Sequence, residues 1–232
     1  MQNIFITGIS SGIGEALASF YLNRGDRVYG ISRSNSKNLL SFDNFRFQTC
    51  DLSDYDTIKP AMEKLCIGVE HFDLAVLNAG MLGEIKPITK TSLEDLEKVM
   101  NLNVWSNKVV LDILASSFSI KQIVAISSGA AVNGSFGWGA YSMSKASLNM
   151  LIKLYSHEMK DTHLSALAPG LILTPMLDYI LGDVDDDIYH SVKRLKDSQK
   201  FTPEQIAPIL NETFPKLLNM DSGIFTDVRS MK

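Results

Sequence analysis

The chain has 232 residues, 45% hydrophobic and 21% charged, enough for one domain with a sizeable core of its own. A net charge of −4, with no lysine- or arginine-rich run, excludes the electrostatic footprint of a nucleic-acid binder or of a protein that docks on anionic membrane. No apolar stretch is long enough to cross a bilayer, and neither the two cysteines (Cys50, Cys66) nor the four histidines show metal-ligand spacing, so no metal is expected.

The predicted elements alternate from the start. Strand candidates are "NIFIT" (3–7), "RVYGIS" (27–32), "FRFQTC" (45–50), "FDLAVLN" (72–78), "QIVAISS" (122–128) and "HLSALAP" (163–169). Several are nearly unbroken apolar runs, as strands buried on both faces should be. Helical patterns lie near 12–24, 53–66, 91–118 and 139–160, and Pro60 predicts a break or a late start in the second. Strands and helices in this alternation predict an α/β fold: a doubly wound parallel sheet of about seven strands with helices on both faces, in one domain over 1–232. The first strand begins almost at once, so no removable presequence is expected, and reduced thiols fit a cytoplasmic location.

From Pro175 to Lys200 the chain turns polar, with "DVDDD" at 183–187 followed by Lys193, Arg194 and Lys196. One reading is a solvated helix with acids near its N-terminus and bases near its C-terminus. Another is a substrate flap over 175–200 that turns Met176, Leu177, Tyr179 and Ile180 inward. The two are compatible.

Two local patterns carry chemistry. The first strand runs straight into "TGISSGIG" (7–14), where Gly8, Gly12 and Gly14 permit a tight turn and close approach of backbone to a pyrophosphate ahead of a helix N-terminus. In "YSMSK" (141–145), Tyr141 and Lys145 are four residues apart and share a helix face. A free phenol titrates near 10, and a neighbouring ammonium favours the phenolate, so this pairing predicts a lowered tyrosine pKa.

With "NAG" (78–80), Asn103 in "NLNV", "SS" (127–128) and "PGLILT" (169–174), these motifs stand in one order along residues 3–176, Ser128 lying thirteen residues before Tyr141. In this the chain resembles the short-chain dehydrogenase/reductase family, in its ordinary single-domain Rossmann branch. The resemblance implies an enzyme that transfers a hydride between a nicotinamide and a small carbonyl or alcohol substrate. Tyr141 would be the general acid/base and Ser128 the holder of the substrate oxygen. Lys145 would tune the tyrosine and bind the ribose, and Asn103 would support a proton-relaying water. Cofactor contacts are implied for Gly8, Ile9, Ser11, Gly12, Ile13, Gly14, Asp51, Leu52, Asn78, Ala79, Gly80, Tyr141, Lys145, Pro169, Gly170, Ile172 and Thr174.

At the end of the second strand the chain places Ser32 and Arg33, where NAD enzymes usually carry an acid for the ribose 2′-OH. Ser32 repels no phosphate and Arg33 can bind one through its charged fork, so NADP(H) is expected over NAD(H), with NAD(H) still usable. Trp138, Phe136, Met81, Leu82, Met176 and Tyr179 suggest an apolar substrate pocket. The stretch "GIFTDVRS" (223–230) lacks the double glycine that many relatives carry there, which weakens the expectation of a tetramer and leaves a homodimer through 91–118 and 139–160 as the favoured assembly. The rival to an enzyme is a non-catalytic NAD(P)-binding redox-sensing regulator. Such relatives usually lose the tyrosine or the lysine, and both are kept here.

Overall fold

A computed structural model describes residues 1–231. Its main sheet has seven strands, all parallel: β1 (Asn3–Thr7), β2 (Arg27–Ser32), β3 (Phe45–Thr49), β5 (Leu74–Leu77), β7 (Gln122–Ile126), β8 (His163–Ala168) and β9 (Ile224–Asp227), in the spatial order β3-β2-β1-β5-β7-β8-β9. The chain first winds outward from β1 to β3, then returns to β5 and winds the other way. This reversal beside β1 opens a crevice at the carboxyl ends of the strands, where such sheets bind ligands.

Side-chain alternation divides the core between the two faces of the sheet. Ile4 and Ile6 of β1 pack with Leu17 and Tyr21 of α1 (Gly12–Asn23) and Leu210 and Phe214 of α9 (Pro203–Leu217). Phe5, between them, faces the other way and joins Ile58 and Met62 of α2 (Tyr55–Leu65), Leu111 and Leu114 of α4 (Ser106–Ser117), and Leu148 and Ile152 of α6 (Gly139–Glu158). Both layers are buried, so the inner strands β1, β5 and β7 carry buried side chains on both faces, while the edge strand β3 exposes Arg46 and Thr49.

The helices differ from expectation in two places. Pro60 lies inside α2 without ending it, because it sits on the exposed side while Ile58, Ala61, Met62 and Leu65 carry the buried one. The carbonyl that loses its partner can face water there. The span predicted as one helix over 91–118 is α3 (Leu93–Met100) and α4 joined through a wider π turn, Asn101–Trp105. Such insertions recur at functional sites, and this one contains Asn103.

A small second sheet pairs β4 (His71–Phe72) with β6 (Ser119–Ile120), and α5 (Ala130–Asn133) is a single turn after β7. The acidic run bridges α7 (Pro175–Gly182) and α8 (Ser191–Asp197), with Lys193 paired to Asp187 at 2.6 Å and Lys196 to Asp186 at 2.8 Å. Leu177 and Ile180 of α7 pack with Leu82, Ile85, Trp138 and Val192 in a satellite cluster over the crevice. Tyr179, expected to face inward, is 39% exposed, since Leu177 and Ile180, one turn apart, take the inner face. No helix among the described residues is long and apolar enough to cross a membrane.

Candidate active-site cleft

A cleft of about 700 Å³ runs along the carboxyl ends of the strands. The turn after β1 gives it Gly8, Ser11, Gly12 and Ile13; the ends of β2 and β3 give Arg33, Asp51 and Leu52; and the loop after β5 gives Asn78, Ala79 and Gly80. Ser128, Tyr141 and Lys145 line it beyond the switch point, with Pro169, Gly170, Ile172 and Thr174 opposite. Three predicted positions behave differently. Ile9 is fully buried among core side chains, so only its backbone is available to the turn. Gly14 and Asn103 do not line the cleft and act by packing.

The glycine turn is built for close approach. Gly8 and Gly12 take positive φ of 74° and 62°. A Cβ on Gly14 would fall 2.3 Å from the Gly8 carbonyl oxygen and 2.5 Å from the Asn78 amide nitrogen. That amide donates to the carbonyls of Thr7 (3.1 Å) and Gly8 (3.0 Å), while the Thr7 hydroxyl accepts the backbone N–H of Asn78 (2.9 Å) and Ala79 (3.0 Å). Turn and β5 loop are thus pinned together, and a backbone cradle backs onto the N-terminus of α1. These residues fit a dinucleotide pyrophosphate.

At the other end, α6 presents Tyr141 and Lys145 on one face. Lys145 is 4% exposed; its Nζ donates to the Ile126 carbonyl at 2.8 Å and lies 5.7 Å from the centre of the Tyr141 ring. Burial pulls the lysine down to about 8. The expected lowering of the tyrosine is reversed in this structure: burial raises the Tyr141 pKa, and a hydrogen bond with Ser128 offsets only part of that. The physical reason is burial, which disfavours the phenolate, while the lysine ammonium is bound to the Ile126 carbonyl. The Ser128 hydroxyl also accepts the N–H of Ala130 at 3.1 Å, while Ser127 turns away to donate to Asn149 at 2.6 Å.

Asn103 is fully buried and its side chain is saturated. Its amide donates to the Met81 carbonyl (2.8 Å) and the Ser144 hydroxyl (2.9 Å), and its oxygen accepts the Met81 N–H (2.8 Å). Its own carbonyl accepts from Asn107 at 2.9 Å. It locks the loop after β5 to α6, and Gly80 fits between it and Lys145.

Of the apolar residues expected around a substrate, Leu82, Trp138 and Met176 line the cleft. Phe136, 60% exposed, stacks instead on Tyr189, and Met81 does not line the cleft; its backbone bonds Asn103. Leu177 and Ile180, expected on the inner side of the flap, line the cleft as well; sequence reasoning missed Arg194 from α8 and Asp227 and Arg229 from the end of β9. The only signal for the last two was the departure at 223–230.

Sheet order, glycine turn and cleft together define a Rossmann-type α/β protein. The chain belongs to the short-chain dehydrogenase family, whose model matches residues 2–184, and it is an oxidoreductase. It is 29% identical to a benzil reductase ((S)-benzoin forming) of Bacillus cereus, over 93% of this chain and 97% of that one. A short-chain dehydrogenase/reductase of Saccharomyces cerevisiae superposes with a TM-score of 0.85 over 99% of this chain and 97% of that one, at 23% identity. The NADP-bound protein ElxO superposes at 0.79 and 25% identity, over 98% of this chain and 97% of that one.

Proposed function

We propose that this protein is an NADP(H)-dependent reductase of small carbonyl compounds, with vicinal diketones as the favoured substrate class. One observation carries the reading: a single cleft joins Arg33 and the glycine turn at one end to Ser128, Tyr141 and Lys145 at the other. The relative named as a benzil reductase supports the diketone, and the flap over 175–200, with Leu177 and Ile180 turned inward, supplies an apolar wall for it.

A reduced nicotinamide, when bound, supplies the hydride that the carbonyl carbon receives. Tyr141, kept protonated at neutral pH by its burial, gives its phenolic proton to the substrate oxygen. Ser128 accepts from Ala130 and is hydrogen-bonded to Tyr141, so its proton can turn from the phenol to the substrate oxygen and fix its position. Lys145 spends one of its three N–H groups on Ile126, leaving two for a ribose hydroxyl and for returning a proton towards Tyr141. A lysine that titrates near 8 can exchange that proton close to neutrality. Asn103 holds the frame through its contacts with Met81 and Ser144.

The phosphate preference rests on Arg33, which lines the cleft, is exposed, and has no ion-pair partner among the described residues. Ser32, beside it, donates to the carbonyl of Ser34 at 2.6 Å and offers no carboxylate to a ribose. NAD(H) is the weaker alternative cofactor. The protein works as a homodimer in the cytoplasm. The regulator reading gains nothing from a cleft that keeps both Tyr141 and Lys145.

The test combines a substrate panel with two variants. Tyr141→Phe should lower kcat/KM for diketones by about a thousandfold or more while reduced-cofactor affinity stays within about twofold. Arg33→Ala should weaken NADPH about ten- to a hundredfold and leave NADH unchanged, as loss of one charged hydrogen bond predicts. Near-normal turnover by the phenylalanine variant, or NADH binding as tight as NADPH in the wild type, overturns the corresponding assignment.

A further inference from the structure

The end of β9 is where the sequence leaves the family pattern, and the structure brings it into the cleft. After Asp227 a short turn, Val228–Ser230, carries Arg229 back over the strand ends. The Arg229 stem passes 3.9 Å from where a Cβ on Gly170 would stand, and its Nη2 reaches 3.8 Å from the corresponding point on Gly129. Gly129 directly follows Ser128. The guanidinium therefore lies one residue beyond the group assigned to the reacting oxygen.

Its orientation is fixed locally. Asp227 accepts the backbone N–H of Arg229 at 2.9 Å, its Nε–H at 2.9 Å and an Nη2–H at 2.6 Å. Two of the five guanidinium donors are consumed by this fork, and three remain. The Asp227 carboxylate also cancels the charge, and the arginine holds its pKa below the usual carboxylate range. Such a pair offers hydrogen bonds with little net field. It suits a neutral acceptor, such as a second carbonyl oxygen, better than a free carboxylate. The same cleft has apolar lining from Leu82, Trp138 and Met176.

We propose that Arg229 holds the second oxygen of a vicinal dicarbonyl substrate and is the residue that selects such substrates over simple ketones. This rests on the carbonyl-reductase reading above. With the reacting oxygen on Ser128 and Tyr141, the neighbouring oxygen meets the unspent Arg229 donors, and the substituent beyond the reacting carbon packs against the apolar wall.

A matched substrate pair isolates the contact: 1-phenylpropane-1,2-dione and 1-phenylpropan-1-one share a skeleton and differ only in the second oxygen. In Arg229→Met, which keeps the apolar stem over Gly170, the ratio of kcat/KM for the dione to that for the monoketone should fall about ten- to a hundredfold. Arg229→Lys should recover part of it. Asp227→Asn leaves the arginine uncompensated and should shift preference from the dione towards phenylglyoxylate, which carries a carboxylate in place of the second carbonyl. NADPH affinity, read by fluorescence titration, should stay within about twofold in all three. An unchanged ratio in Arg229→Met overturns the assignment. So does a parallel loss of NADPH affinity, which would place Arg229 on the cofactor. A wild-type protein that reduces neither ketone overturns the underlying reading, and this assignment with it.

Discussion

Tyr141 and Lys145 lie one helical turn apart, and burial drives both toward their uncharged forms. It raises the phenol and lowers the ammonium, so each resists charging in an apolar setting. For Lys145 this has a consequence for stability. Its ordinary value of 10.5 holds in the unfolded chain, against about 8 in the fold. Between those values the unfolded state binds the extra proton, so the unfolding free energy rises with pH through that window. Below it the native state carries a buried ammonium at a cost on the order of 3 kcal/mol. Lys145→Met should therefore stabilise the cofactor-free protein by about 2–3 kcal/mol at pH 7, once the lost bond to Ile126 is allowed for. That advantage should shrink towards zero by about pH 10. Urea unfolding of both proteins across this range measures it. Tyr21 and Tyr155, which burial also raises, are common to both proteins and cancel in the difference. Parallel pH profiles for the two proteins would show that Lys145 is solvated in the native state.

Among the elements, the glycine turn and α1 behave as one unit, because Gly14 packs on the Gly8 carbonyl and the Asn78 amide. Gly14→Ala should cost about 1–3 kcal/mol as an overpacked contact with rigid backbone and weaken NADPH binding by disturbing the turn. Gly182→Ala, with nothing within 4 Å of the added methyl, should change stability by less than about 0.5 kcal/mol. Equal effects in chemical unfolding would remove the packing role of Gly14.

The same scale shows what could be read before folding. The strand–glycine–helix unit was legible because period, glycine spacing and chain position agreed. The wider turn at Asn101–Trp105 was not, since "NLNVW" fits a helix pattern and the displacement comes from Asn103 bonding to Met81 and Ser144, contacts set by tertiary packing. Ile9 was placed at the phosphate turn by its neighbours in sequence, but its side chain fills the space beside Gly30. Arg229 was out of reach because its position depends on β9 joining β8 far from the glycine turn in sequence. Local pattern reveals a turn; it does not reveal which distant strand end will share its cleft.

At the scale of the whole molecule, the sheet is covered on both faces, yet one of those covering layers still carries apolar groups outward. Met143, Met150 and Leu154 of α6 are 44%, 57% and 53% exposed and fall along one stripe, and Trp105, at the start of α4, is 46% exposed. The two helices are tied together by the hydrogen bond from Tyr155 to Asp112. Scattered exposed apolar residues are ordinary, but an apolar stripe along one helix favours association with a second copy, which presents the same stripe by two-fold symmetry. A stable contact needs on the order of 800 Å² from each partner, which two adjoining helices can supply. The tetramer of many relatives depends on a glycine-rich final strand, and here that position is filled by Asp227 and Arg229, which are turned into the cleft. The expected assembly is thus a dimer and no larger. Light scattering at micromolar concentration should give twice the 25.7 kDa chain mass. Trp105→Glu combined with Leu154→Glu should reduce it to the monomer, since two carboxylates per chain would have to be buried without partners. A wild-type monomer, or a dimer indifferent to both substitutions, would move the interface away from α4 and α6.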